Sequence, residues 1–143
     1  MRLATEIDLP DIAAYWNSHL EWIQSQWLTP CEAQPADRFQ KYLDNGYILF
    51  EPNNLLICAL RKNNEVEVVL WLSGGEQYLD VAFLEVGNMA TAAGDTLIKG
   101  TVKKGTDGDN YLQAKGWTYI EDDLGLSHIY TPTPQEMVSA IQK

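Results

Sequence analysis

Apolar positions near the start of the chain recur three and four residues apart: Leu9, Ile12, Ala13, Trp16, Leu20, Ile23 and Trp27. That period predicts one long helix with a single buried face. Asp8 can cap its free amides, Pro10 suits its first turn and Asp11 favours the positive end of its dipole. Arg2 to Thr5 precedes it as a short strand. Tyr15, His19 and Trp22 form a second stripe beside the first. Pro30 and Pro35 then bracket a loop. Ala36 to Asn45 reads as a further helix with Phe39, Tyr42 and Leu43 inward and Gly46 at its end.

The pattern then changes to β-rich runs, Tyr47 to Glu51, Leu55 to Arg61 and Glu65 to Leu72. Pro52-Asn53-Asn54 and Lys62-Asn63-Asn64 are good turn sequences, so the three runs predict an antiparallel meander. Ser73-Gly74-Gly75 breaks the third run. Tyr78, Leu79, Ala82, Phe83, Val86, Met89 and Ala90 return to helical spacing, although Gly87 weakens that helix by ~1 kcal/mol against Ala. Leu97 to Lys104 alternates, with Ile98 and Val102 on one face and Lys99, Thr101 and Lys103 on the other. Thr106 to Lys115 predicts a short helix stopped by Gly116. Thr118 to Glu121 and Leu126 to Thr131 predict a hairpin, and Pro134 to Lys143 a final helix carrying Met137, Val138 and Ile141. The expectation is an α/β (α+β) protein in which a mixed, mostly antiparallel sheet is flanked by helices. Its order is β-α-α-β-β-β-α-β-α-β-β with a short carboxy-terminal helix. No repeat or boundary divides residues 1–143, which read as one domain.

Composition narrows the function. Twenty Asp and Glu against ten Lys and Arg give a net charge of −10, which argues against general binding of nucleic acid. No apolar run reaches the ~20 residues of a membrane helix and no signal segment opens the chain, so the expected location is cytoplasmic. Cys31 and Cys58 lack ligand spacing, and Cys58 sits in an apolar run as a buried thiol, so no metal site is expected. Pairing of a cysteine with His19 or His128 as a nucleophile has no local support. Lys99, Lys103, Lys104 and Lys115 cluster late in the chain, and Lys99 and Lys103 share one strand face, either to meet an anion such as the 3′-phosphate of a nucleotide cofactor or an acidic partner, or as a solvated face. Tyr15, His19, Trp22 and Trp27 make a wide aromatic face that is either core or a protein-binding surface.

Two fragments carry a resemblance. Arg2-Leu3-Ala4-Thr5-Glu6-Ile7-Asp8-Leu9-Pro10-Asp11-Ile12 and Asp109-Asn110-Tyr111-Leu112-Gln113-Ala114-Lys115-Gly116-Trp117, together with the element order, resemble the GNAT (GCN5-related N-acetyltransferase) superfamily. Size, acidity and eroded motifs also resemble small GNAT-like proteins encoded by bacteriophages. The resemblance implies acetyl-CoA as donor and an amine as acceptor. The family's phosphate loop falls on Leu72, Ser73, Gly74 and Gly75, where exposed amides at a helix start would cradle pyrophosphate, and Asn110 joins them as a cofactor contact. The usual Arg or Gln of that loop is absent, and Glu76 adds a negative charge. Gly-Gly is also ordinary turn chemistry. Tyr111 is the proton donor to the thiolate by resemblance, displaced one residue from the usual position, which now holds Leu112. Glu65 and Glu67 share a strand face as the base for the amine, or alternate with solvent at a sheet edge. The alternative is a catalytically inactive GNAT-fold phage accessory or virion protein acting through protein contacts. An open gap between the fourth and fifth strands would favour the enzyme, and burial of Tyr15, Trp22 and Trp27 would remove the partner surface.

Overall fold

A computed structural model describes residues 1–27 and 31–142. Strand β1 (Arg2–Leu3) leads through a tight turn at Glu6–Asp8 into helices α1 (Leu9–Asn17) and α2 (Leu20–Gln26). A second tight turn, Ala36–Phe39, opens α3 (Gln40–Asn45). Strands β2 (Gly46–Glu51), β3 (Leu55–Lys62) and β4 (Glu65–Ser73) form the meander, followed by α4 (Glu76–Ala93), β5 (Leu97–Lys103), α5 (Asp107–Ala114), β6 (Tyr119–Glu121), β7 (Ser127–Tyr130) and α6 (Pro134–Gln142). The sheet has the order β1-β2-β3-β4-β5-β7-β6 and is antiparallel except where β4 runs parallel to β5. Pro30 and Lys143, which the sequence places in a loop and in the last helix, lie outside the described residues.

Both faces of the sheet are covered. Leu9, Ile12, Trp16 and Ile23 of the first two helices, with Phe39 and Tyr42, bury one face against Ile48, Phe50, Leu56 and Leu72. Leu79, Phe83 and Val86 of α4, Leu112 of α5 and Met137 of α6 bury the other against Leu49, Ile57, Val66 and Ile98. Cys58 is fully buried among the first set, where burial pushes its thiol up. Gly87 finds its reason here. A Cβ at that position would lie 2.7 Å from Val138 Cγ2, so its absence lets α6 lie directly on α4.

Three local features depart from the sequence pattern. The long first helix is broken at Ser18–His19. In a continuous helix the Tyr15 carbonyl would accept the His19 amide; instead it accepts the Ser18 hydroxyl at 2.8 Å, with His19 Nδ1 3.0 Å away, and the His19 amide turns to the Trp16 carbonyl. Gly46 does end a helix, but not by a left-handed conformation. Its backbone crosses β3 so closely that a Cβ would stand 1.9 Å from the Ala59 carbonyl oxygen. In β4 the register slips between Ala59↔Val68 and Cys58↔Leu70, leaving Val69 as a bulge. Before the bulge Val66 and Val68 face α4 and α5; after it Trp71 takes that side. A strand read as alternating at a sheet edge is therefore central, covered on both sides.

Candidate active site

The bulge opens the sheet. β4 and β5 pair from Glu65↔Leu97 to Val68↔Gly100 and no further. Beyond that point β4 stays with β3 through Leu55↔Ser73, and β5 stays with β7 through Lys103↔Ser127. The strands part as a V whose inner edges carry backbone groups without a strand partner. A cavity of about 450 Å³ fills the V, lined by β4 and β5, by Trp22, Gln26 and Trp27 from α2 and its end, and by Thr106 to Gly108 and Tyr111 around α5. A second cavity of about 400 Å³ continues between Glu76 and Asp107, Asn110, Tyr111, Ala114 and Lys115.

Two helix starts converge on the open end, and they differ. α5 is capped: the Asp107 amide donates to Gln26 Oε1 at 3.1 Å, and the Asp109 amide to Thr106 Oγ1 at 3.4 Å. α4 begins at Gly75 without a side-chain cap. The amides of Glu76 and Gln77, its first two residues, have no acceptor within the helix and stand at its positive end. The two glycines before it have different tasks. The Gly74 amide donates to the Asn54 carbonyl at 2.8 Å, which fastens it to the β2–β3 turn. Gly75 lines the cavity, and its amide donates to Ser73 Oγ at 3.0 Å. A Cβ on Gly75 would meet the Gln77 side chain at 2.5 Å. Of the four loop residues singled out by the sequence, Ser73 and Gly75 therefore line the cleft. Gly74 turns away, and the Leu72 side chain belongs to the opposite core. Asn110 is exposed on the second cavity.

The carboxylate pair separates in the same way. Glu67 lines the large cavity beside the point where the strands part, whereas Glu65 is exposed at the start of β4, outside it. Tyr111 is in the cleft wall, stacked on Phe83 and tilted against Trp71. Its hydroxyl donates to Asp80 Oδ1 at 2.5 Å, and Asp80 is also paired with Lys115 at 2.8 Å. Burial, then the neighbouring Asp80 carboxylate, push the Tyr111 phenol well above its ordinary range. Tyr111 thus holds its proton firmly and directs it away from the cleft.

The aromatic face also divides. Tyr15 is buried against Phe50 and contributes nothing to a surface, while His19 is exposed. Trp22, 42% exposed, and the half-buried Trp27 line the cleft. Of the late lysines, Lys104 pairs with Glu121 and Lys115 with Asp80, Lys103 lines the large cavity, and Lys99 borders a small apolar pocket under Trp71. One cluster escaped the sequence reading altogether. Buried Asp109 accepts from Tyr130 Oη at 2.6 Å, His128 Nδ1 at 2.8 Å and the Gly105 amide at 3.0 Å, tying α5 to β7. Burial pushes this carboxyl up, but those three donors more than offset it and hold it below the usual range. The partners lie 4, 19 and 21 positions from Asp109 in sequence, without a motif that would join them. Among the described residues, no group of histidine, cysteine and carboxylate side chains is arranged to hold a metal ion.

The seven-stranded sheet, split between parallel central strands with a helix starting at the mouth of the split, has a GNAT-like fold, shared with acetyltransferases of known structure. The structure is similar to that of PaiA N-acetyltransferase from Thermoplasma acidophilum in complex with coenzyme A. That match has TM-score 0.69 and 13% identity, covering 92% of this chain and 96% of that one. It is also similar to RimL, a ribosomal L7/L12 alpha-N-protein acetyltransferase solved with coenzyme A, at TM-score 0.66 and 13% identity over 92% of each chain. An acetyltransferase from Thermus thermophilus matches at TM-score 0.64 and 18% identity, over 92% of this chain and 96% of that one. No family model matches the sequence, and no curated protein matches it.

Proposed function

We propose that the chain is a single-domain N-acyltransferase that moves an acetyl group from acetyl-CoA to an amine. The observation that supports this most is the V between β4 and β5, whose unpaired inner edges would receive a donor's amide-bearing arm as an added strand. Two similar structures were solved with coenzyme A, which supports a CoA-type donor. Glu76 and Gln77 amides at the start of α4 would meet the pyrophosphate, with Ser73 and Gly75 shaping the approach and Asn110 beside the second cavity. The acidic side chains of Glu76 and Asp107 oppose that anion, so the backbone carries the attraction.

At the point where the strands part, the amine nitrogen would attack the thioester carbonyl. A C–N bond forms, the C–S bond breaks, the ammonium proton passes to Glu67, and CoA leaves as thiolate. Glu65 is too far along β4 for this role. A thiol of ordinary pKa, about 8.5, leaves readily without a strong acid. Tyr111, whose phenol is held above that range, therefore acts as a wall fixed by Asp80 rather than as the proton donor. Glu67→Gln should lower kcat by about 10² or more, the usual worth of a general base. Tyr111→Phe should leave kcat within a few-fold. A Glu67→Gln enzyme of unchanged rate, or a Tyr111→Phe enzyme as slow as Glu67→Gln, overturns these assignments.

The competing reading is a non-catalytic protein, phage-borne or not, that works through contact. It draws on the fastened Gly74 amide and on the exposed Trp22 and His19. Burial of Tyr15 weakens it, since that residue no longer serves such a surface. No described helix is long and apolar enough to cross a membrane.

A further inference from the structure

Resting on the N-acyltransferase reading, we infer that the acceptor is a free α-amino acid with an apolar side chain, its amine at Glu67 and its carboxylate at Lys103. The argument starts from charge pairing. Carboxylates outnumber cations two to one in this chain, and Arg2, Arg61, Lys104 and Lys115 each hold one. Lys103 is half-buried in the cleft, yet among the described residues it makes no ion pair. Glu67, half-buried in the same cleft, makes none either. Two opposite charges left unsatisfied in one cavity are complementary to a ligand that carries both signs.

Their placement fits such a ligand. Glu67 lies opposite Lys99 in the β4–β5 register, and Lys103 is four residues further along β5, roughly 13 Å at ~3.3 Å per residue. Glu67, Thr101 and Lys103 belong to the sheet face away from the core made by Ile98 and Val102. Glu67 and Lys103 thus set opposite charges on one face of one cavity, the pairing that a small zwitterion would complement. Above that strip stand Trp22 and Trp27, with Val69 at the bulge, as an apolar wall. Among the described residues the cation–π contacts involve Tyr42 and Tyr111, so no lysine or arginine covers those indoles. The wall is open to an apolar side chain. The remaining charged residues lining the cavity, Glu76 and Asp107, stand at the starts of α4 and α5, at the donor's end of the cleft.

The test titrates the protein, alone and saturated with CoA, with the apolar proteinogenic amino acids and with each one's decarboxylated amine. Binding is read by tryptophan fluorescence and by calorimetry. At least one amino acid should bind tenfold or more tightly than its amine. Lys103→Met should erase that difference, Lys103→Arg should keep it, and both should bind CoA as the parent does. Equal binding of acid and amine overturns the inference, as does no binding across the set. Lys103→Met weakening CoA alone also overturns it, by giving that lysine to a cofactor phosphate. CoA binding without amino-acid preference leaves the transferase reading standing, whereas absent CoA binding sinks that reading itself, so the two failures are distinct.

Discussion

Asp109→Ala probes the hidden fastening that shapes one wall of the cleft. Asp109 is 2% exposed and sits on α5 between Gly108 and Tyr111, both of which line the cavity. Its carboxylate accepts from Tyr130 Oη, His128 Nδ1 and the Gly105 amide, and Gln113 Nε2 adds a longer contact at 3.3 Å. Tyr130 and His128 are themselves buried, so truncation leaves His128 Nδ1 and a loop amide without an acceptor and leaves Tyr130 Oη only its longer contact to the Asp109 carbonyl at 3.3 Å. At about 1–3 kcal/mol for each unsatisfied buried group, with partial relaxation, the total should be about 3–5 kcal/mol. Urea unfolding followed by tryptophan fluorescence measures it as a lower midpoint at unchanged slope. Far-ultraviolet circular dichroism on the folded variant should show that the helices persist, while ligand affinity at the cleft falls because α5 is no longer anchored to β7. A loss below about 1 kcal/mol would show that water replaces the carboxylate easily, and the reasoning about this cluster would be wrong.

Two further expectations concern the scaffold. Gly46→Ala forces a Cβ into the Ala59 carbonyl at 1.9 Å, backbone against backbone, and should destabilise the protein by about 3 kcal/mol in the same assay; a neutral result would refute the close crossing of β2 and β3. The Arg2 guanidinium, with help from the Thr5 amide, lowers the Asp8 carboxyl to about 2. Because this folded-state pKa is depressed, its contribution is fully present above the unfolded value near 3.8 and lost as pH falls towards 2. Acid unfolding of Arg2→Met should therefore begin at higher pH than that of the parent, and coincident curves would rule the linkage out.

Much of the architecture was legible because it follows from period and punctuation. The meander is written in alternating residues and two Asn-Asn turns, and Asn53, Asn63 and Asn64 do adopt positive φ there. α4 emerged from helical spacing despite Gly87. What stayed hidden depends on contacts between distant residues. Apolar spacing runs smoothly through Ser18 and His19, and only the competition of their side chains for the Tyr15 carbonyl breaks the helix. Alternation stops at Val69, where Val69-Leu70-Trp71-Leu72 runs on apolar, but that run does not by itself reveal the bulge that separates β4 from β5 and makes the cavity. Ser73-Gly74-Gly75 was recognisable as a strand-to-helix turn. Which glycine faces the cleft depended on the Asn54 carbonyl, fixed by a hairpin about twenty residues earlier. Glu67 and Glu65 were alike in pattern and were separated only by how far along β4 the sheet opens.

Calorimetric titration of the protein with acetyl-CoA and with CoA tests the central claim most directly, with Gly75→Leu beside it. The substitution sets a side chain at the uncapped start of α4, over the amides assigned to the pyrophosphate, and displaces Gln77. The account predicts micromolar binding to the parent, loss of at least tenfold in Gly75→Leu, and little change in Gly74→Ala, whose Cβ would make only ordinary contacts at 3.4 Å or more. No heat and no thermal shift at millimolar ligand would contradict it, and so would parent-like affinity in Gly75→Leu.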